Sequence, residues 1–386
     1  MISLQTMASR VTNRQAAAAI IVLVVGVSVH KYSLGTFNNY RIFARSFDVL
    51  VSHQDLYAPH PDLHDDVFKY SPTFPLFMAP FAWQPDATGL VCWNLLNALL
   101  LVAAIRRLWP EGPQSTIAIA VIALELVVSL QSSQSNGIVA ALMILAFTAL
   151  ERGRSSQAGF FIVAGFFLKI YGVAVAALAL LYRERWRIAV HSAMWFVLFA
   201  AAPLVLLSVD ELIDQYTTWL GVGQTFKVPT NASLMRLVDR YLYPGADPRV
   251  VQAIGGVIYA LPFARIGAWH DPLFRLKLLC SLLIAVVIFN NSAEPPTYVI
   301  AVAGGAIWYA ATPTRRTADH VFALTLLLVV SLISTDVYPR EFRGLYAGPY
   351  TVKALGCLVI WLRINFELLT TGSGTGTRQE SGSASR

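Results

Sequence analysis

The chain has 386 residues, 56% of them hydrophobic and only 13% charged, and its mean hydropathy is +0.57. Soluble globular proteins carry about a quarter charged residues and under half apolar ones. A water-soluble enzyme, a nucleic-acid reader and a disordered scaffold are therefore poor fits, and the net charge of +7 is a topology signal, as its distribution below shows.

A bilayer core of about 30 Å needs roughly 20 mostly apolar helical residues. Runs of this kind fall at 15–33, 88–105, 115–131, 136–150, 188–209, 250–265, 275–290, 296–311, 319–335 and 350–366. The first follows Arg10 and Arg14; its apolar stretch is too long, and its cleavage signal too poor, for a secretory leader. Between the first two runs lies a loop, roughly 34–87, holding Asn38, Asn39, Asp48, Asp55, Asp62, Asp65 and Asp66 with Tyr57, Tyr70 and Trp83. Within it, Asn39–Val51 places Ile42, Phe43, Phe47 and Leu50 on one helical face. The segment 157–182 is apolar yet has a basic cluster at each end, ERGR and RERWR. Its length, about 26 residues, suffices for one crossing and is too short for two full ones. Either one cluster lies outside, or the segment is a re-entrant pair of short helices turning near Lys169 and Gly172. Irregular backbone of the second kind is tolerated where it lines a protein cavity. A second loop spans roughly 210–249, and the turn NNSAEPP at 290–296 and the loop VYPREFRGLYAGPY at 337–350 lie on the same side.

Basic pairs and clusters at Arg106–Arg107, Arg152 and Arg154, Arg183, Arg185 and Arg187, Arg275 and Lys277, and Arg315–Arg316 sit on the other side with Arg10 and Arg14. An excess of Lys and Arg marks the cytoplasmic face. The expectation is an all-α polytopic membrane protein of about ten transmembrane helices plus one re-entrant hairpin, a single domain over 1–370. Both termini are then cytoplasmic, and the tail 371–386 is Gly/Ser/Thr-rich and disordered.

Charged groups at membrane depth are functional candidates by default. Lys169, between Leu168 and Ile170, suits contact with a lipid phosphate, or its long stem snorkels to the interface. Glu125, within AIAVIALELVVSL, reads as the partner of a neighbouring helix. The turn SLQSSQSNG offers Gln131, Gln134 and Asn136 to a hydroxyl-rich ligand, or is a plain tight turn. Glu294, ahead of Pro295–Pro296, is either a general base near the surface or a solvated turn residue. Arg340 and Arg343 suit bidentate phosphate binding, or cap their loop through carbonyl contacts. No phosphate-binding glycine loop, HExxH or CxxC motif is present, and His53, His60 and His64 lack metal-site spacing, so neither a metal nor a cofactor is expected.

The stretch QDLYAPHPDLHDDVFKYSPTFPLFMAPFAWQPDATGLVCWNLLNALLL (54–101) resembles the first loop and second helix of glycosyltransferase family 87, membrane enzymes of the GT-C architecture. The QSN turn, the lysine-bearing hairpin AGFFIVAGFFLKIYGVAVAALALLYRERWR, TNASLMRLVDRYL and NNSAEPPTYVIAVAG follow in order, so the likeness runs from about 15 to 365. It implies transfer of a mannosyl, arabinosyl or similar unit from a polyprenyl-phosphate sugar to a lipid-linked or cell-envelope glycan. The reaction would take place on the outer side of the cytoplasmic membrane, with inversion and a carboxylate base. Lys169 and Arg343 would then hold the donor phosphate, and Asn39, Tyr70, Gln134 and Asn136 the sugar hydroxyls and ring faces. The aspartate that members usually carry just after the first helix falls at Asn38–Asn39 here, and an amide is no general base. The base is then Glu294, where the family tends to have histidine, or Asp48 or Asp66. A lipid-linked sugar carrier, or a non-catalytic relative of such an enzyme, would need no base.

Overall fold

A computed structural model describes residues 13–225, 232–335, 337–339, 341 and 351–370. Among them the regular structure is entirely helical. In chain order the α-helices are α1 (Asn13–Ser33), α2 (Asn38–Val51), α3 (Phe74–Ala82), α4 (Asp86–Leu108), α5 (Gln114–Gln131), α6 (Asn136–Glu151) and α7 (Ser155–Leu168). A 3-10 segment, Ile170–Leu181, precedes α8 (Arg185–Ala201), α9 (Val209–Thr225) and the short α10 (Leu234–Leu237). Then come α11 (Pro248–Ala260), α12 (Pro272–Ile288), α13 (Tyr298–Ala311), α14 (Thr317–Thr325) and α15 (Thr351–Thr370). Each apolar run read from the sequence falls on helix. Among the described residues three helical stretches are individually long and apolar enough to cross a bilayer: α4, α5, and α8 with its extension to Val205. A fourth is counted if α1 and α2, bent by 84° at residues 34–37, are one span.

Burial identifies the solvent. Helix α8 buries only Ile188 and exposes Trp186, Val190, Met194, Phe196, Val197 and Leu198. An apolar surface of that extent is uncharacteristic of a water-soluble monomer and suits a lipid environment. The opposite extreme is the centre, where every residue of α6 from Asn136 to Leu150 and every residue of α13 from Tyr298 to Ala310 is buried. A helix apolar all round belongs in such a core.

The lysine-bearing segment is broken, which is the second of the two readings its flanking basic clusters allow. Helix α7 stops at Leu168, Lys169 is extended at φ −152° and ψ 123°, and the 3-10 turn begins at Ile170. Gly165 and Gly172 then meet backbone to backbone: a Cβ on Gly172 would lie 2.6 Å from the Gly165 carbonyl oxygen. Seven residues apart on a continuous helix they would be separated by about 10 Å along the axis. The chain therefore doubles back, and a straight single span is excluded. At about 1.5 Å per residue in α7 and about 2 Å per residue in the 3-10 arm, each arm is shorter than a bilayer core.

Ion pairs fix the base of this hairpin. Glu151, at the end of α6, receives both Arg275 Nε (2.5 Å) and Nη2 (2.9 Å) and the Tyr182 hydroxyl (2.5 Å). Arg152 donates to the Arg107 carbonyl at 3.0 Å, and Lys277 pairs with Glu367 at 2.9 Å. These basic residues, grouped by sequence as one face, thus join helix ends at one end of the bundle. Glu125 finds the helical partner expected of it: Lys353 of α15, 2.7 Å away, with both side chains fully buried.

Helix α2 turns Ile42, Phe43, Phe47 and Leu50 into the core, as its periodicity predicts. The face they form holds up the cavity described next.

Candidate active site

Away from the Glu151 clamp, a cavity of about 360 Å³ opens where the hairpin tip meets the start of α2, the 66–71 loop, α9 and the turn before α13. Asn39, Asp66, Tyr70, Gln134, Lys169 and Glu294 all line it. Asn136 stands directly behind, as the first residue of α6.

One amide organises the polar wall. Gln134 Nε2 donates to Glu294 Oε2 at 2.6 Å, and its oxygen accepts from Asn136 Nδ2 at 2.9 Å and from Lys169 Nζ at 3.3 Å. Lys169 also donates to Asn136 Oδ1 at 2.8 Å, and Tyr171 donates to the same oxygen at 3.2 Å. The carboxylate and the ammonium are therefore held one amide apart, each oriented and neither neutralised by direct contact. The Lys169 ammonium lies 5.7 Å and 5.9 Å from the ring centres of Tyr70 and Tyr171, within cation–π range. Helices α6 and α13 both begin at this wall, so their N-terminal dipoles add positive potential to the lysine's. An anion is favoured there.

Local backbone chemistry explains why the turn holds its shape. Ser133 sits at φ +50°, a region most side chains avoid. It is kept there by the Trp93 indole, which donates to its carbonyl at 2.8 Å, while Asn39 Nδ2 donates to the Ser132 carbonyl at 2.8 Å. Such conformations persist only where the surroundings over-determine them, and they cluster at functional sites.

The sequence pieces DLY and KYSPTF also resolve into contacts. Asp55 accepts from the Tyr57 amide at 2.9 Å, and the Tyr57 hydroxyl donates to the Tyr70 carbonyl at 2.9 Å. Tyr70 packs at 4.4 Å on Phe74 and 4.9 Å on Phe43, and burial pushes its phenol well above the usual range. Ser71 donates to the Phe167 carbonyl at 2.6 Å, satisfying an acceptor at the open end of α7. Thr73 donates to Phe199 at 2.8 Å. The motif thus seats Tyr70 and ties the hairpin tip and α8 to the first loop.

The remaining candidates divide. Asp66 is on the cavity rim but pairs with Lys69 at 3.0 Å. Asp48 is not brought to the cavity: it lies on α2 with Arg45 at 3.2 Å, and Arg45 continues to Asp86 at 2.8 Å. Asn38 accepts from the Asp65 amide at 3.1 Å, so both asparagines at the expected aspartate position make hydrogen bonds that organise neighbouring backbone. Arg343, with Arg340, lies outside the described residues. Sequence reasoning missed Tyr171, which periodicity leaves inside an apolar run, and gave no role to Trp219, which lines the cavity from α9.

An all-helical bundle with long apolar helices and a polar cavity carrying a carboxylate, an amide pair and a cation defines a membrane protein equipped for polar chemistry. The sequence profile of glycosyltransferase family 87 matches residues 68–290, more than half the chain. The chain belongs to glycosyltransferase family 87, which indicates glycosyl transfer. No curated protein matches it.

Proposed function

We propose that this protein transfers a hexosyl or pentosyl unit, mannose- or arabinose-like, from a polyprenyl-phosphate sugar to a lipid-linked or envelope glycan. The architecture is GT-C-like, with about ten crossings, both termini in the cytoplasm and the cavity on the outer face of the cytoplasmic membrane. The observation that carries the reading is the Glu294–Gln134–Lys169 array, which presents a base and a cation to one cavity at fixed spacing.

In this reading Glu294 removes the proton of an acceptor hydroxyl as its oxygen attacks the anomeric carbon from the face opposite the phosphate. The new C–O bond forms, the bond to the phosphate oxygen breaks, and polyprenyl phosphate leaves with the electron pair. Configuration inverts. Lys169 and the N-termini of α6 and α13 stabilise the departing negative charge, a preorganised electrostatic contribution that needs no reorganisation during reaction. Tyr70 and Tyr171 supply ring faces for the sugar; Asn39, Gln134 and Asn136 supply its hydrogen bonds. Arg343 is proposed as a second phosphate ligand. Asp66, paired with Lys69, is the lesser candidate for the base.

The test is transfer of radiolabelled sugar by purified protein in nanodiscs, offered a panel of polyprenyl-phosphate sugars and a membrane lipid extract. Glu294→Gln keeps an oxygen that accepts from Gln134 but loses the base, and general-base removal costs about 10²–10⁴-fold. Full activity in that variant would dismiss Glu294 and return the search to Asp66. Donor binding without transfer by the wild type would favour a carrier or an inactive relative.

A further inference from the structure

Beside the candidate active site lies a second cavity of about 320 Å³, between α11 and α12. Tyr171 and Asn290 line both cavities and form the partition between them. On the far side, Gln252, Gly256 and Tyr259 follow one face of α11 at helical spacing.

Three observations set this cleft apart from ordinary helix packing. The Tyr259 hydroxyl is buried yet makes no hydrogen bond among the described residues, and such a group at membrane depth calls for a partner. A Cβ on Gly256, an exposed residue of the lining, would meet nothing within 4 Å, so the cleft is open on that side, while Gly255 brings α11 against the Phe289 ring. Gln252 donates to the Phe289 carbonyl at 3.0 Å, which anchors its amide at the cleft wall.

The lining chemistry selects the ligand. Two amides, two phenols and the Phe289 ring face the space, and none of its lining residues carries a charge. A phosphate there would be buried without a counter-ion, which is costly. A neutral, polyhydroxylated ring offers hydroxyls to Tyr259 and the amides and a flat face to the aromatics. Val250, Ile254 and Val257 of the same helix are exposed to the surroundings, so a ligand arriving through lipid reaches the cleft sideways.

We propose that this cleft binds a neutral sugar ring of the lipid-borne acceptor, one partition away from the base. The assignment rests on the glycosyl-transfer reading above, but its test does not need turnover. A donor's own sugar shares the chemistry, so the experiment separates the two sources. Retention of monoglucosyl-diacylglycerol, of plain diacylglycerol and of polyprenyl-phosphate mannose is measured by native mass spectrometry from nanodiscs. Wild type, Tyr259→Phe, Gly256→Leu and Lys169→Met are compared. Wild type is expected to hold the glucosyl lipid at least tenfold more tightly than diacylglycerol. Tyr259→Phe, which removes one oxygen and leaves the ring, is expected to lower that affinity about tenfold; Gly256→Leu, which fills the space, lowers it further. Both should leave the polyprenyl-phosphate sugar unaffected, and Lys169→Met should show the reverse pattern. Equal retention of glucosyl lipid and diacylglycerol would overturn the proposal. So would a loss in Tyr259→Phe confined to the polyprenyl-phosphate sugar, which would make the cleft a donor seat. A protein that binds as expected but transfers nothing would leave the cleft in place and refute only the catalytic reading.

Discussion

Breaking the Glu125–Lys353 pair gives the sharpest prediction about what holds the bundle together. The two side chains are fully buried and 2.7 Å apart. Lys353 Nζ also reaches the Pro295 carbonyl at 3.4 Å and lies 5.1 Å from the Tyr298 ring centre. At an effective dielectric of about 20, opposite charges at that separation attract by about 6 kcal/mol, against a desolvation cost of several kcal/mol per ion. The pair as a whole is therefore near balance, whereas one partner alone is not. Lys353→Met or Glu125→Leu is each expected to destabilise by about 3–5 kcal/mol by stranding the other charge. The double replacement should cost little, leaving a coupling close to the sum of the two single losses, about 6 kcal/mol or more. The measurement is SDS-driven unfolding in mixed micelles, followed by tryptophan fluorescence, for all four proteins. Single and double effects that add to within about 0.5 kcal/mol, the behaviour of independent sites, would refute the reasoning. Since Lys353 holds the residue after Glu294, the lysine variant should also lower transfer while leaving donor retention intact.

Asn39→Asp puts a carboxylate where the family resemblance implies one but cannot donate to the Ser132 carbonyl. It is expected to destabilise by about 1–3 kcal/mol and to bring no gain in transfer rate, measured in the nanodisc assay. Gly172→Ala drives a Cβ to 2.6 Å from the Gly165 carbonyl; overpacking of this kind costs about 1–3 kcal/mol, to be read as a lower thermal midpoint in detergent. His64 is buried, and burial lowers its imidazole below the ordinary 6.5. Its folded form prefers to stay neutral, so its contribution is complete above the unfolded pKa of about 6.5 and is lost as pH falls through the lower folded value. Thermal midpoints taken from pH 8 to pH 5 should decline, and His64→Gln should flatten that slope.

How much could be read beforehand follows from the range of each signal. Hydropathy and charge are local, and they located the ten long apolar runs and the amphipathic α2, but they left α3 and α9 inside segments read as loops. The break at Lys169 was half legible: basic clusters at both ends of a segment too short for two crossings left either a re-entrant pair or one cluster outside, and the meeting of Gly165 with Gly172 decides for the first. Lys169 could be singled out as a charge in a costly place, and Gln134, Asn136 and Glu294 as polar residues of turns, yet their mutual arrangement could not. Gln134 and Glu294 are 160 positions apart, and only the packing of α6 against α13 brings the start of one beside the start of the other. The same holds for Lys353, which no periodicity pairs with Glu125 across 228 positions, and for Asp48, which the packing of α2 leaves away from the cavity. Tyr171 and Tyr259 lay hidden inside apolar runs, where a phenol looks like one more hydrophobic side chain. Composition decides that this chain must live in lipid and which segments are helical, since each residue's transfer energy acts wherever it sits. Which carboxylate meets which amide depends on distances between helices, and those exist only once the bundle has closed.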